Sequence, residues 1–146
     1  MAADSTYNGA KVHHDGPDKL VVEPGGYIDI ATQAGVTKTA NYTLAAADVG
    51  KCVDCATDGV VFTLPATVIG YSFRVRNTST ALGAVGITLS PNAADKIMGV
   101  GLTAADDKDL VNTKATARPG DEVLLVADGV DGWYVHRLVG TWAREA

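Results

Sequence analysis

The feature that most constrains the fold of this chain is a succession of short apolar runs in residues 41–77. The runs cover residues 51–56, 60–64 and 71–77. They are separated by Asp58-Gly59 and by a segment that begins with Pro65 and ends with Gly70. Short runs rich in β-branched residues and bounded by turn formers predict strands. No long segment with a 3.6-residue apolar repeat competes with this interpretation.

Residues 71–77 show the clearest alternation in the chain. Tyr71, Phe73 and Val75 alternate with polar residues that include Arg74 and Arg76. Successive side chains of a strand point to opposite faces, so one face is predicted to join the core and the other to be wet and basic. The two arginines are expected to form a solvated strand face, with an acidic partner surface as the alternative.

The rest of the chain continues this pattern. Short strands are predicted over residues 19–23, 27–30, 83–90, 96–100 and 110–117, and a final hairpin over residues 122–127 and 132–139. Residues 44–49 are predicted to form a single helical turn that ends at Gly50. About ten strands at regular spacing predict an all-β fold, an antiparallel β-sandwich or barrel of jelly-roll type. Residues 1–35 are predicted to be an N-terminal arm with short strands, and residues 36–146 the β body.

Composition limits the partners that the chain is expected to have. Its 146 residues carry a formal net charge of −5, and the twelve Lys and Arg residues are scattered. Binding to a nucleic-acid backbone draws on clustered basic residues, so no nucleic-acid partner is predicted. No apolar run reaches the roughly 18 residues that a membrane helix needs, and no secretion signal is recognisable. The chain is therefore expected to be soluble and without a membrane partner.

Cys52 and Cys55 form the one motif that suggests chemistry. A redox Cys-x-x-Cys lies at the start of a helix, whereas this pair lies in a predicted strand. A zinc site requires about four ligands, and His13, His14 and His136 are not at motif spacing. Residues three apart in a strand also point to opposite faces. Two ordinary thiols are therefore expected, and a redox protein is kept as an alternative.

The remaining candidates for a catalytic or metal site lack the required pattern. Asp106, Asp107 and Asp109 do not follow the order of a calcium loop and are expected to be solvated. Ser72 lies mid-strand, without the second glycine of a nucleophile elbow. No catalytic residue, metal site or cofactor is therefore predicted, and the chain is not expected to be an enzyme.

Aromatic residues near the C-terminus suggest an interaction surface. If Trp133 lies in the core, then Tyr134 points outward, because it is the next residue of the same strand. An outward Tyr134 beside Trp142 would suit either a subunit contact or a sugar platform. Of these two, the subunit contact is predicted.

Three stretches of the sequence resemble structural proteins of tailed bacteriophages. In those proteins a start similar to YTLTAADSGK leads into a strand, and strands end in TLP and in Asn. The matching segments here are NYTLAAADVGKCVDC and GVVFTLPATVIGYSFRVRN, followed later by GDEVLLVADGVDGWYVHRLVGTW. The opening STYNGAKVHHDGPDKLVVEPGGYIDI resembles the N-terminus of head-decoration or head-fibre proteins. The cysteine pair departs from that pattern.

The resemblance implies a non-enzymatic virion protein, made in the host cytoplasm and bound to the capsid surface as a decoration (cement) protein. It also implies the major capsid protein as partner and a homo-oligomer, with a trimer favoured. Residues 1–35 would clamp the capsid. The candidate interface residues are Tyr7, Val12, Leu20, Arg74, Arg76, Tyr134 and Trp142. The alternative is a tail- or fibre-associated module that binds host glycan through Tyr134, Trp142 or other exposed aromatic residues.

Overall fold

The computed structural model describes residues 12–14, 20–22, 35–99, 101–102 and 104–145, and only the backbone of the first two ranges. The chain divides into two units, residues 1–32 and residues 33–146. In the first unit, β1 (Val12–His14) pairs antiparallel with β2 (Leu20–Val22). β2 lies within the strand predicted over residues 19–23, and β1 was not predicted. The strand predicted over residues 27–30 lies outside the described residues.

The second unit is built from short strands, which confirms the all-β prediction. In chain order they are β3 (Val36–Thr37), β4 (Tyr42–Thr43), β5 (Cys52–Cys55), β6 (Val60–Thr63), β7 (Ser72–Asn77), β8 (Ile87–Ser90), β9 (Lys96–Gly99), β10 (Leu110–Asn112), β11 (Glu122–Ala127), β12 (Gly132–Val139) and β13 (Ala143–Arg144). The predicted helical turn is present as a 3-10 helix over Ala46–Asp48, and Gly50 follows it with a φ of 74°. Within the described part of the chain, no helix is long and apolar enough to cross a bilayer.

The strands of this unit form two mixed sheets. One has five strands in the order β13-β10-β8-β6-β4, and the other has six in the order β3-β5-β7-β11-β12-β9. The prediction of antiparallel sheets is wrong for the pairs β3·β5, β5·β7, β4·β6, β6·β8 and β9·β12, which are parallel. The remaining pairs in these two sheets are antiparallel.

Four of the five parallel pairs arise because the chain alternates between the two sheets, whereas β9 and β12 are three strands apart in the chain. From β3 to β8, each strand joins the sheet that the previous strand did not join. Neighbours within a sheet are therefore two strands apart in the chain and run in the same direction. Turn residues signal that the chain reverses, but they do not signal which sheet receives the next strand. Neither sheet closes on itself among the described strands, so the barrel alternative is not supported either.

The core is one cluster of buried apolar side chains that both sheets supply. Phe62 and Leu89 come from the five-stranded sheet, and Phe73 and Trp133 from the six-stranded sheet, all with no exposed surface. The rings of Phe73 and Trp133 lie 5.2 Å apart between centroids. The alternation predicted for residues 71–77 is confirmed, because buried and half-buried residues alternate along the whole of β7.

A buried polar network links the two sheets at one end of this core. Asn77 in β7 donates a 3.0 Å hydrogen bond from Nδ2 to Oδ1 of Asn112 in β10. Asn112 Nδ2 donates to Asp121 Oδ2 at 2.7 Å and to the carbonyl of Thr141 at 2.9 Å. Asn77 and Asn112 have no exposed surface, and Asp121 has 3%. Buried polar groups are tolerated only when they are hydrogen-bonded, and these groups bond one another.

Candidate interaction surface

The outer side of the six-stranded sheet carries the side chains that alternate with the core residues of β7, β11 and β12. The register places Leu124 opposite Arg74 on one side and opposite Arg137 on the other. A bulge between Leu124 and Leu125 makes His136 the extra residue of β12. We define the arginine face by residues that share this side of the sheet: Arg74, Arg76, Leu124, Val126, Tyr134 and Arg137.

Ion pairs hold the arginine face in place. Arg74 Nη2 lies 2.5 Å from Glu122 Oε2, and Arg137 Nε lies 3.7 Å from Glu122 Oε1. Arg76 donates to both carboxylate oxygens of Asp54, at 2.9 Å and 3.0 Å. A bidentate pair of this kind fixes the plane of the guanidinium as well as its position. The three arginines and the two carboxylates that pair with them together carry one net positive charge.

Glu122 is the buried centre of this network. Its side chain is 6% exposed, whereas those of Arg74 and Arg137 are 41% and 61% exposed. Glu122 Oε1 and Arg74 Nε are buried without a hydrogen bond. The hydrogen bond to Glu122 raises the pKa of Arg74. A buried carboxylate destabilises the fold unless positively charged groups lie beside it. Arg74 therefore stabilises the folded structure through Glu122, although part of its side chain is exposed.

The two aromatic residues predicted to lie side by side on the surface are placed differently. Tyr134 is 50% exposed and lies on the arginine face. Trp142 is 8% exposed, belongs to the core cluster and donates from Nε1 to the carbonyl of Val139 at 2.9 Å. Trp142 therefore contributes core packing, and an exposed pair of aromatic rings is not formed here.

Two loops present exposed apolar side chains that the sequence patterns did not single out. Residues 64–71 connect β6 to β7, and residues 128–131 connect β11 to β12 as the predicted hairpin. Ile69 and Val130 are 80% and 81% exposed, and Val68 is 43% exposed. A Cβ built on Gly129 would lie 3.0 Å from Ile69 Cβ, so the two loops touch. We define the loop tip as Val68, Ile69 and Val130.

Hydrogen bonds from Thr67 fasten the first loop to its surroundings. Thr67 Oγ1 donates to the carbonyl of Gly132 at 2.8 Å and accepts from the amide of Gly129 at 3.0 Å. The amide of Thr67 donates to Asp95 Oδ2 at 2.8 Å. These bonds connect the loop to both ends of the β11–β12 connection, so the loop tip is held on fixed backbone.

Asp128 fastens the second loop from within. Its Oδ1 accepts hydrogen bonds from the amides of Val130, Asp131 and Gly132, at 2.8, 3.0 and 2.9 Å. Hydrogen bonds from the amides of Gly132 and Val130 lower the pKa of Asp128 because they stabilise its charged form. The charge of this side chain therefore supports the conformation of the loop.

Acidic residues lie in the second loop and next to it. Lys96 Nζ lies 3.5 Å from Asp106 Oδ1 and 3.6 Å from Asp131 Oδ1, and both carboxylates are largely exposed. The charges of Asp131 and Asp106 raise the pKa of Lys96. We define the rim of the loop tip as Asp106, Asp128, Asp131 and Lys96. Its three carboxylates and one lysine give it two net negative charges.

The two cysteines are free thiols on opposite faces of β5, as their spacing predicts. Cys52 is half-buried on the outer side, 3.5 Å from Asp54 Oδ1, and Cys55 lies in the core. Burial raises the pKa of both thiols, and the charge of Asp54 adds to the shift at Cys52. A raised pKa lowers the thiolate fraction, which is the reactive form.

The other candidate residues have these positions. Tyr7 lies outside the described residues, and Val12 and Leu20 lie in β1 and β2, where only the backbone is described. His136 is exposed on β12. Across the described ranges, no three His, Cys, Asp or Glu side chains are grouped closely enough to hold a metal ion.

The chain matches no model of a known protein family, and no curated protein matches its sequence. The surfaces described above are therefore identified from their geometry alone. Composition was the one feature of the sequence that could have indicated the loop tip. Val68, Ile69 and Val130 are apolar residues, and they lie in segments whose turn residues predict loops. Loops run over the surface, so large apolar residues within them are expected to be exposed.

Proposed function

We propose that this protein is a non-enzymatic structural component of a bacteriophage virion, a decoration protein that binds the outer surface of the capsid. The observation that carries the proposal is the resemblance of residues 41–77, 120–142 and 5–30 to structural proteins of tailed phages. The matching segments are spread over both the N-terminal segment and the body.

The surfaces of the body support a role in protein contact. The loop tip exposes large aliphatic side chains, and the arginine face presents an exposed tyrosine among partly exposed arginines. Tyr and Arg are enriched at protein interfaces, where they supply contact area and directed hydrogen bonds. We propose that the body forms a homo-oligomer, with a trimer favoured. We also propose that its two sheets pack as a sandwich, because one core cluster takes side chains from both.

In this proposal residues 1–35 contact the major capsid protein. Contacts of this segment with several capsid subunits would hold the protein on the capsid surface. The test is a deletion of residues 1–18, followed by incubation with undecorated capsids and quantification of the bound protein. We expect capsid occupancy to be lost while the oligomer, measured by light scattering, persists. Unchanged occupancy would contradict the clamp.

A carbohydrate-binding module on a tail or fibre is the second candidate. The exposed ring of Tyr134 favours it, since an aromatic face can stack on a sugar. Binding on a glycan array that Tyr134→Ala abolishes would favour this function. The absence of any hit, together with labelling over the whole head in electron micrographs, would favour the decoration protein.

A further inference from the structure

We propose that the loop tip of one copy docks on the arginine face of a second copy, in a head-to-tail contact between subunits. The inference deepens the proposed function and rests on its claim of self-association, but it does not depend on where in a virion the protein lies.

Charge complementarity points to a second copy as the occupant. The rim of the loop tip carries two net negative charges, from Asp106, Asp128 and Asp131 against Lys96. The arginine face carries one net positive charge in a chain whose formal net charge is −5. Opposite potentials steer association and fix the orientation of the partners, whereas two like surfaces would repel.

The apolar parts of the two surfaces also match in kind. Ile69 and Val130 project almost fully into solvent from the loop tip. On the arginine face, Leu124 and Val126 form a half-buried apolar floor, and Tyr134 stands beside them. Burying aliphatic side chains against this floor removes apolar surface from water on both partners. The exposed arginines around the floor would then lie against the acidic rim.

Both surfaces are ordered before they meet. The loop tip is fixed by the hydrogen bonds of Thr67 and Asp128, and the arginine face by its ion pairs with Glu122 and Asp54. Side chains and loops that are already held in one conformation lose little entropy on association. A contact of modest area can therefore be stable.

The two surfaces consist of different residues, and a head-to-tail contact uses one surface from each of two copies, which makes it heterologous. A heterologous contact closes into a ring when the rotation between subunits permits it, whereas a two-fold dimer uses the same patch twice. Where the loop-tip-to-face contact closes into a ring, every copy uses both surfaces.

The experiment uses one variant for each surface in the full-length chain. The tip variant is Ile69→Ser with Val130→Ser, and the face variant is Tyr134→Ser with Arg137→Gln. All four side chains are at least half exposed and Glu122 keeps Arg74, so both variants are expected to fold. The matched control is Leu82→Ser, which removes an aliphatic side chain that is 63% exposed and lies on neither surface.

The mass of each sample is measured by light scattering over a concentration series. We expect each surface variant to weaken self-association by at least about tenfold, as loss of central contact residues does, while Leu82→Ser associates like the wild type. Raising the salt concentration from about 50 mM to about 500 mM is expected to weaken wild-type association, because it screens the charges that meet.

Mixing the two variants gives the decisive result. Each keeps one intact surface, so an equimolar mixture is expected to form a species of twice the protomer mass of 15.1 kDa, which neither variant forms alone. Absence of this species, with wild-type oligomers present, would overturn the head-to-tail contact. Variants that remain oligomeric but lose capsid binding would also overturn it and would assign the surfaces to the capsid protein. If light scattering shows that the wild-type protein is a monomer at every concentration, the inference is refuted. Co-sedimentation of the same sample with capsids tests the proposed function separately.

Discussion

Replacing Asn112 by alanine is expected to destabilise the β body more than any change at an exposed polar residue. The Asn112 side chain accepts one hydrogen bond from Asn77 and donates two, to Asp121 Oδ2 and to the carbonyl of Thr141. It has no exposed surface, so bulk water does not reach the groups that these bonds satisfy. Because β7 and β10 belong to different sheets, the loss falls on the connection between the sheets.

The magnitude follows from the three bonds. Each bond between neutral groups contributes about 1 kcal/mol, and the bond to the Asp121 carboxylate about 1.5–3 kcal/mol. Asn77 keeps two partners, the carbonyl of Val85 and the amide of Ser79. Asp121 Oδ2 keeps the amide of Arg118, so neither side chain is left unpaired. The expected loss is therefore about 4 kcal/mol. For a unit of this size, about 1 kcal/mol corresponds to a shift of about 4 °C in Tm, so Tm should fall by about 15 °C.

The assay is equilibrium unfolding in urea, followed by tryptophan fluorescence, with Tm from calorimetry. Trp133 and Trp142 are both buried, so their emission reports unfolding of the core. The matched control is Asn92→Ala, which makes the same chemical change at an exposed residue. We expect the control to change the free energy of unfolding by less than about 0.5 kcal/mol, as is usual for surface substitutions.

A small effect at Asn112 would refute this reasoning. If Asn112→Ala loses less than about 1 kcal/mol relative to Asn92→Ala, the network does not hold the two sheets together. An unchanged m-value is required for the comparison, because a change in m would mean that the variant alters the compactness of one of the two states.

Three further predictions concern single positions. Gly140→Ala should destabilise the protein far more than Gly120→Ala. Both glycines have a φ near 90°, but only at Gly140 would the new Cβ collide with the carboxylate of Asp121. Equal losses of stability in urea would show that the collision is relieved. Hydrogen bonds from backbone amides lower the pKa of Asp128 below its ordinary value of 3.8, so its contribution to stability is present above that pH and is lost as the pH falls through the folded-state pKa. Asp128→Asn should therefore show a shallower loss of stability below about pH 4, measured by Tm, and a profile parallel to the wild type would contradict this. Burial raises the pKa of the Cys55 thiol, and that side chain has no exposed surface. Iodoacetamide at about pH 8 should therefore label Cys55 only after urea unfolds the chain. Labelling of Cys55 in the native protein, detected by mass spectrometry, would contradict this prediction.

The secondary structure of the body could largely be predicted because its strands follow simple rules. Residues 71–77 alternate polar and apolar side chains, and the strand that results buries Phe73 and Val75 and leaves Arg74 and Arg76 half-buried. Residues 128–131 contain the Asp and Gly that a hairpin connection requires, and β11 and β12 pair across them. These features depend on neighbours in the chain, so the sequence displays them directly.

Sheet topology could not be predicted, because it depends on partners that are distant in the chain. β5 and β7 are parallel neighbours although β6 lies between them in the sequence and joins the other sheet. The alternation of side chains along a strand is the same for parallel and antiparallel partners. The pattern therefore allowed the number and type of elements to be inferred, but not their order.

The candidate surface was partly predictable for the same reason. The outward direction of Arg74, Arg76 and Tyr134 follows from strand alternation. Their ion pairs with Glu122 and Asp54 do not, because these carboxylates come from other strands. The burial of Trp142 was missed, since it precedes β13 in a segment with no alternation to orient it.

If this protein is a structural component of a phage virion, as proposed, it must bind to capsids. Purified protein is incubated with capsids of the phage that encodes it, the capsids are pelleted, and the bound protein is quantified against concentration, with Leu82→Ser as a variant expected to behave like the wild type. We expect saturable co-sedimentation at a fixed ratio to the major capsid protein, and labelling over the whole head in immunogold micrographs. Protein that stays in the supernatant at every concentration, with no label on the virion, would contradict it.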